Sequence, residues 1–201
     1  IRARPDCVLG IATGRTMMPV YAKLAALCKQ EDLSLARVSS FNLDEYIGGA
    51  AGESVSFRSY TLRHLAAATD LPAASVHAPD GAAADVFAEA ERYEQAIREA
   101  GGIDLQLLGL GRNGHIGFNE PGSSLASRTR VKALSEQTLR ANRADLGSPA
   151  PSAAITVGLG TILSARSCLV LAVGTAKSAA VAAMVEGPVT ARVPASVLQH
   201  H

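Results

Sequence analysis

Residues 107–124 read "LLGLGRNGHIGFNEPGSS": an apolar run, then five glycines, two asparagines, one histidine and one carboxylate in a short loop. His115 and Glu120 lie five apart, close enough to meet if the loop folds back. An imidazole accepts or donates a proton near neutral pH, and a neighbouring carboxylate would fix its tautomer and raise its basicity. A second candidate is "FNLDEYIGG", residues 41–49, where Asp44 and Glu45 end an apolar strand. Adjacent residues on extended chain point to opposite sides, so only one of the two is expected to face a crevice. On this feature alone, a solvated acidic loop is the plainer account. No HxxxH or HxxEH pair is present, and Cys7, Cys28 and Cys168 are scattered, so no metal site is expected.

Two other stretches suit an anion. "ATGRTMMP", residues 12–19, combines a strand end, a glycine turn with hydroxyls and a helix start. Backbone N–H groups there can cradle a phosphate at the positive end of the helix dipole. The stretch is neither a Walker loop nor GxGxxG, so a nucleotide is not indicated. An ordinary turn capped by Thr16 is the competing reading. Lys177 falls at the start of an expected helix, an unfavourable place for a cation unless an anion lies nearby. Arg140 and Arg143 flank "AN" within a polar, aperiodic segment, 135–152, which reads equally as a lid or as a surface loop.

These loops need a scaffold, and the chain supplies one. Strands are expected at 7–13, 36–43, 103–110 and 167–174, the last two as runs covered on both faces. Helices are expected at 18–30, 57–69, 85–100 and 175–187, with Val86, Ala90, Tyr93 and Ile97 on one stripe. Strands alternating with helices imply one doubly wound α/β domain, Rossmann-like, with a mainly parallel sheet flanked by helices. In such a sheet, ligands bind beyond the carboxyl ends of the strands. The 201 residues allow one well-buried domain, with 48% apolar and 18% charged residues. A formal charge of +1 gives no field that would recruit nucleic acid or an anionic membrane. Unpaired cysteines and the lack of a long apolar run make a soluble cytoplasmic protein the default expectation.

Together, "FNLDEY", "GIDLQLLGLGRNGHIGFNEPGSSLASRTR", "LGTILSA" and "VEGPVT…VPASVLQ" resemble the glucosamine-6-phosphate deaminases, from about residue 8 to residue 200. That resemblance implies conversion of glucosamine 6-phosphate to fructose 6-phosphate and ammonia, with no metal or organic cofactor. It implies that His115 opens the sugar ring with Glu120 as its partner, and that Asp44 moves a proton from carbon 2 to carbon 1. Asn113 stands where the family often has aspartate, so a less basic His115 is expected. The phosphate would rest on Thr13, Gly14, Arg15 and Thr16, with Lys177 and a lid arginine, Arg143, completing the cage; the lid spans about 130–155. The family begins with a further strand and helix, so the chain is expected to lack its true start.

Some relatives are hexamers activated by N-acetylglucosamine 6-phosphate. Ser123, Arg130 and Lys132 match that second site, whereas Ala133 replaces a threonine, so a homo-oligomer with allosteric activation is an expectation. Two alternatives stand beside the deaminase. A 6-phosphogluconolactonase would lack the Asn119–Glu120–Pro121 run, and a non-catalytic sugar-phosphate sensor would have lost the bases. The galactosamine epimer is not separated from the glucosamine one.

Overall fold

In the computed structural model, which describes residues 1–48, 56–134 and 151–201, the elements run in the order β1 (Val8–Ile11), α1 (Met18–Gln30), β2 (Ser39–Asn42), β3 (Asp44–Ile47), α2 (Phe57–His64), β4 (Val76–His77), α3 (Val86–Glu99), β5 (Leu105–Gly109), β6 (Arg130–Ala133), β7 (Ala153–Thr156), α4 (Leu159–Leu163), β8 (Ser167–Leu171) and α5 (Ser178–Val185). Helix α1 takes the expected bounds. Pro19 sits in its first turn, where the missing N–H costs no bond, and Tyr21, Ala25 and Cys28 face inward. Helix α3 is capped by Asp85, which accepts from the N–H groups of Phe87 and Ala88. Ala90, Tyr93 and Ile97 of its expected stripe are buried.

Among the described residues two sheets form. The larger has the order β4-β2-β1-β5-β8, and every pair in it is parallel. The smaller, β3-β7-β6, is antiparallel and was not expected from the sequence. It arises because the chain bends at Leu43, so that Asp44 does not end a strand but begins one, paired opposite Thr156. The outer parts of the expected 130–155 lid are thereby strands β6 and β7, while 135–150, with Arg140 and Arg143, lie outside the described residues.

Three further expectations are corrected. The helix over 57–69 ends at His64, and Ala66–Ala68 forms a separate 3-10 turn. The 175–187 segment starts as a 3-10 turn, Thr175–Lys177, before α5. Strand β8 is not covered on both faces: it is the edge of its sheet, with Leu169 46% exposed. Apolar composition records a preference for extended chain, not how many layers cover it.

Ile11, Met17, Tyr21, Leu35, Leu65, Leu108, Ile116 and Ile162 anchor the main core. Burying each such aliphatic side chain stabilises the fold by about 1.5–3 kcal/mol. A smaller cluster joins Tyr46, Phe57 and Phe118, with ring centroids 4.7, 5.4 and 6.2 Å apart. It binds β3 and the start of α2 to the loop after β5. Among the described residues no helix is long and apolar enough to cross a membrane.

Candidate active site

The chain leaves β1 towards β2 on one side and later returns to β5 on the other. The carboxyl ends of β1 and β5 therefore flank a topological switch point, the place where open α/β sheets bind ligands. The loops that follow them hold Thr13–Thr16 and Asn113–Glu120, and Asp44 follows β2 beside β1. The fold thus brings three of the sequence candidates to one end of the sheet.

In the loop after β1, Gly14 has φ +97, a left-handed conformation that favours glycine. The Met17 N–H donates to the Gly14 carbonyl at 3.0 Å and closes the turn. Met17, not Thr16, occupies the cap position of α1, and no side chain bonds the helix's first N–H groups. The capped-turn reading of Thr16 is therefore not what the structure shows. The hydroxyl of Tyr21 donates to the Ala12 carbonyl, and that of Tyr60 to the Gly14 carbonyl at 2.8 Å. Neither tyrosine carried a signal in the sequence. The N–H groups of Thr13, Gly14 and Thr16 have no hydrogen-bond partner among the described residues, so this turn offers donors and hides two of its oxygens.

Lys177 reaches the same end from the turn before α5. Its ammonium donates to the Leu110 carbonyl at 2.5 Å, at the root of the histidine loop. Burial, and then the nearby Arg112 guanidinium, pull its pKa below the usual lysine value. A neighbouring anion would offset both effects. Arg112 is a second cation here that sequence reasoning passed over.

The histidine loop folds back through a bond from the Gly111 N–H to the His115 carbonyl at 2.8 Å. Gly111 lies so close that a Cβ there would stand 2.3 Å from the imidazole ring. His115 and Glu120 lie within ion-pair range, with Nδ1 3.6 Å from the carboxylate, but this is too long for a direct hydrogen bond. Asn113 stands between them. Its Nδ2 donates to Glu120 at 2.8 Å, and its Oδ1 lies 2.6 Å from His115 Nδ1. With the amide nitrogen committed to a carboxylate, the amide oxygen is what faces the ring. Nδ1 must then carry the proton, leaving Nε2 as an acceptor. The expected His–Glu pair is thus a three-residue relay, and Asn113 is its middle member.

Asp44 is 7% exposed, and its carboxyl has no hydrogen-bond partner among the described residues. Burial, followed by repulsion from Glu45, pushes its pKa up to about 8. Glu45 turns the other way, as strand alternation predicts. Its carboxylate accepts from Ser56 Oγ at 2.8 Å and from the N–H groups of Tyr46, Phe57 and Arg58 at 3.0, 3.0 and 3.1 Å. It anchors the start of α2, whereas the Asp44 carboxyl makes no such bond to the described residues.

Ser123, Arg130 and Lys132 lie further along. Ser123 Oγ and Arg130 Nη2 are buried without a hydrogen-bond partner among the described residues, and burial lowers the Arg130 pKa. Arg130 and Lys132 alternate with Val131 on β6 and so share a face. Among the described residues no group of three or more His, Cys, Asp and Glu could hold a metal ion.

The family described as glucosamine-6-phosphate isomerases/6-phosphogluconolactonase matches residues 1–201. The chain is 50% identical to a glucosamine-6-phosphate deaminase of Arthrobacter sp. (strain FB24), over all of this chain and 78% of that protein. A deaminase of the same name from Pseudarthrobacter chlorophenolicus is 51% identical, over 100% of this chain and 78% of that one. Among solved structures, a monomeric glucosamine-6-phosphate deaminase superposes with a TM-score of 0.96 at 42% identity, over 100% of this chain and 84% of its own. A 6-phosphogluconolactonase from Thermotoga maritima shares the fold, with a TM-score of 0.72 at 22% identity, over 98% of this chain and 82% of that one.

Proposed function

The chain belongs to the glucosamine-6-phosphate isomerase/6-phosphogluconolactonase family, and on that premise we propose that it converts glucosamine 6-phosphate and water to fructose 6-phosphate and ammonia. The observation that carries this reading is the buried carboxyl of Asp44, with a pKa near 8, at the same sheet end as the Asn113–His115–Glu120 relay. A weakly acidic proton beside a masked carbonyl needs both a base tuned near neutrality and a group that unmasks the carbonyl.

The geometry supports the roles that the resemblance implies. The N–H groups of Thr13, Gly14, Arg15 and Thr16, with Lys177, hold the phosphate, and Arg143 of the 135–150 segment is the expected further contact. Fixing that remote group places the reacting carbons over Asp44. His115 Nε2 takes the proton of the anomeric hydroxyl and returns it to the ring oxygen, which opens the ring. Asn113 and Glu120 keep the imidazole in the tautomer that leaves Nε2 free. Asp44 removes the proton from carbon 2, giving an enol-type intermediate, and delivers it to carbon 1. Water then replaces nitrogen at carbon 2 and ammonia leaves. In this buried setting, preorganised donors stabilise the developing oxyanion better than water would. The relatives named lactonases are too distant to carry that chemistry here, and a sensor would not need this relay.

The test is ammonia release from glucosamine 6-phosphate, beside the Asp44→Asn variant. Release by the wild type and its loss in the variant, on the order of 100-fold or more, is the expected result. Absence of release by the wild type would defeat the reading. We propose a cytoplasmic location for the enzyme. A second proposal rests on the orphaned donors of Ser123 and Arg130: with Lys132 they form an N-acetylglucosamine 6-phosphate site in a homo-oligomer. An assembled protein whose rate ignores that compound would remove it.

A further inference from the structure

Helix α2 touches three strand ends of the site at once. At its first turn Ser56, Phe57 and Arg58 donate to Glu45, the neighbour of Asp44. One turn later the Thr61 hydroxyl donates to Asn42 Oδ1 at the end of β2, at 3.0 Å. Beside it, the Tyr60 hydroxyl crosses to β1's loop and donates to the Gly14 carbonyl at 2.8 Å. The Tyr60 ring is held in place, with centroids 6.4 Å from Tyr21 and 4.4 Å from His64.

We propose that Tyr60 is a positioning residue for the substrate's phosphate, turning the Gly14 carbonyl out of the anion's path and tying the phosphate loop, through α2, to the strand that carries Asp44. An anion binds N–H groups and is repelled by a carbonyl oxygen, so the direction in which Gly14 presents its peptide decides whether the turn binds at all. Gly14 has no side chain to resist rotation, and among the described residues its carbonyl is held by two bonds, from Met17 and Tyr60. Burial pushes the Tyr60 pKa up to about 12, so its hydroxyl remains a donor throughout the neutral range. The link also sets a distance, because α2 is fastened at Glu45 and at Gly14 and therefore spaces the phosphate from the base.

This inference rests on the deaminase reading, and the experiment separates the two. Tyr60→Phe keeps the ring packing and removes only the hydroxyl. The expected result is a KM for glucosamine 6-phosphate raised about five- to tenfold with kcat within twofold, and an inorganic phosphate Kd, measured by calorimetry, weakened to match. Thr61→Val removes the bond from α2 to Asn42 and spares the fastenings to Glu45 and Gly14 that set the spacing, so its KM stays within twofold of the wild-type value. An unchanged KM and phosphate Kd in Tyr60→Phe overturns the inference, as does an equal rise in Thr61→Val. Wild-type protein that binds phosphate yet releases no ammonia defeats the deaminase reading instead, and the phosphate Kd of the two variants still decides this one.

Discussion

Replacing Asp44 by asparagine should abolish turnover and stabilise the protein, by an amount that grows with pH. The carboxyl is buried beside Glu45, and its pKa rises from an ordinary 3.8 to about 8. Between those values the native state keeps a proton that the unfolded chain releases. The stability associated with this group is therefore intact below about pH 4 and is lost steadily as pH rises to about 8. Each unit is worth about 1.4 kcal/mol. The cost reaches under 2 kcal/mol at pH 5 and about 4 kcal/mol at pH 7, a difference of about 3 kcal/mol. Asparagine does not titrate and carries none of that slope. Urea unfolding of both proteins at pH 5, 7 and 8, read as midpoint and m-value, measures it. The variant's advantage should widen by a few kcal/mol between pH 5 and pH 7 and level off above pH 8. Parallel pH profiles, or an advantage that shrinks with rising pH, would refute the burial argument and with it the basis for Asp44 as a tuned base.

Two further substitutions probe the parts around it. Gly111→Ala places a methyl group 2.3 Å from the His115 ring, so kcat/KM should fall at least tenfold, about 1.4 kcal/mol, while circular dichroism shows the fold retained; unchanged kcat/KM would mean that the imidazole does not act from the position seen here. Glu45→Gln removes the charge that repels the ionised Asp44 and faces two amide hydrogens towards donors at the start of α2. The midpoint at which kcat rises with pH as Asp44 ionises should move down while stability drops by about 1–2 kcal/mol. A midpoint that stays in place would assign Asp44's tuning to burial alone.

The parts of the site that are local in the chain were legible before any coordinates. The glycine-rich turn at Thr13–Thr16 and the histidine loop follow from residue type, and the two-residue alternation of a strand implies that only one of Asp44 and Glu45 faces the crevice; that it is Asp44 came from the family resemblance. Helix α1 and the Ala90–Tyr93–Ile97 stripe were readable for the same reason, since periodicity reports which face is buried. Asn113 was legible as a site residue able to hydrogen-bond the His115 imidazole; that it stands between His115 and Glu120 depends on how the loop closes.

What remained was decided by residues far apart in the sequence. The antiparallel sheet pairs Asp44–Ile47 with Ala153–Thr156 across more than a hundred positions, and no local period announces such a partner. Tyr60 meets Gly14 across 46 positions, Lys177 meets Leu110 across 67, and β8 proved half-exposed because it lies at a sheet edge. A sequence carries the preferences of each segment and the chemistry of each side chain. Direction, burial and pKa belong to contacts that exist only once distant segments share one interior. Asp44 is an acidic residue in the sequence; its pKa near 8 is a property of the fold.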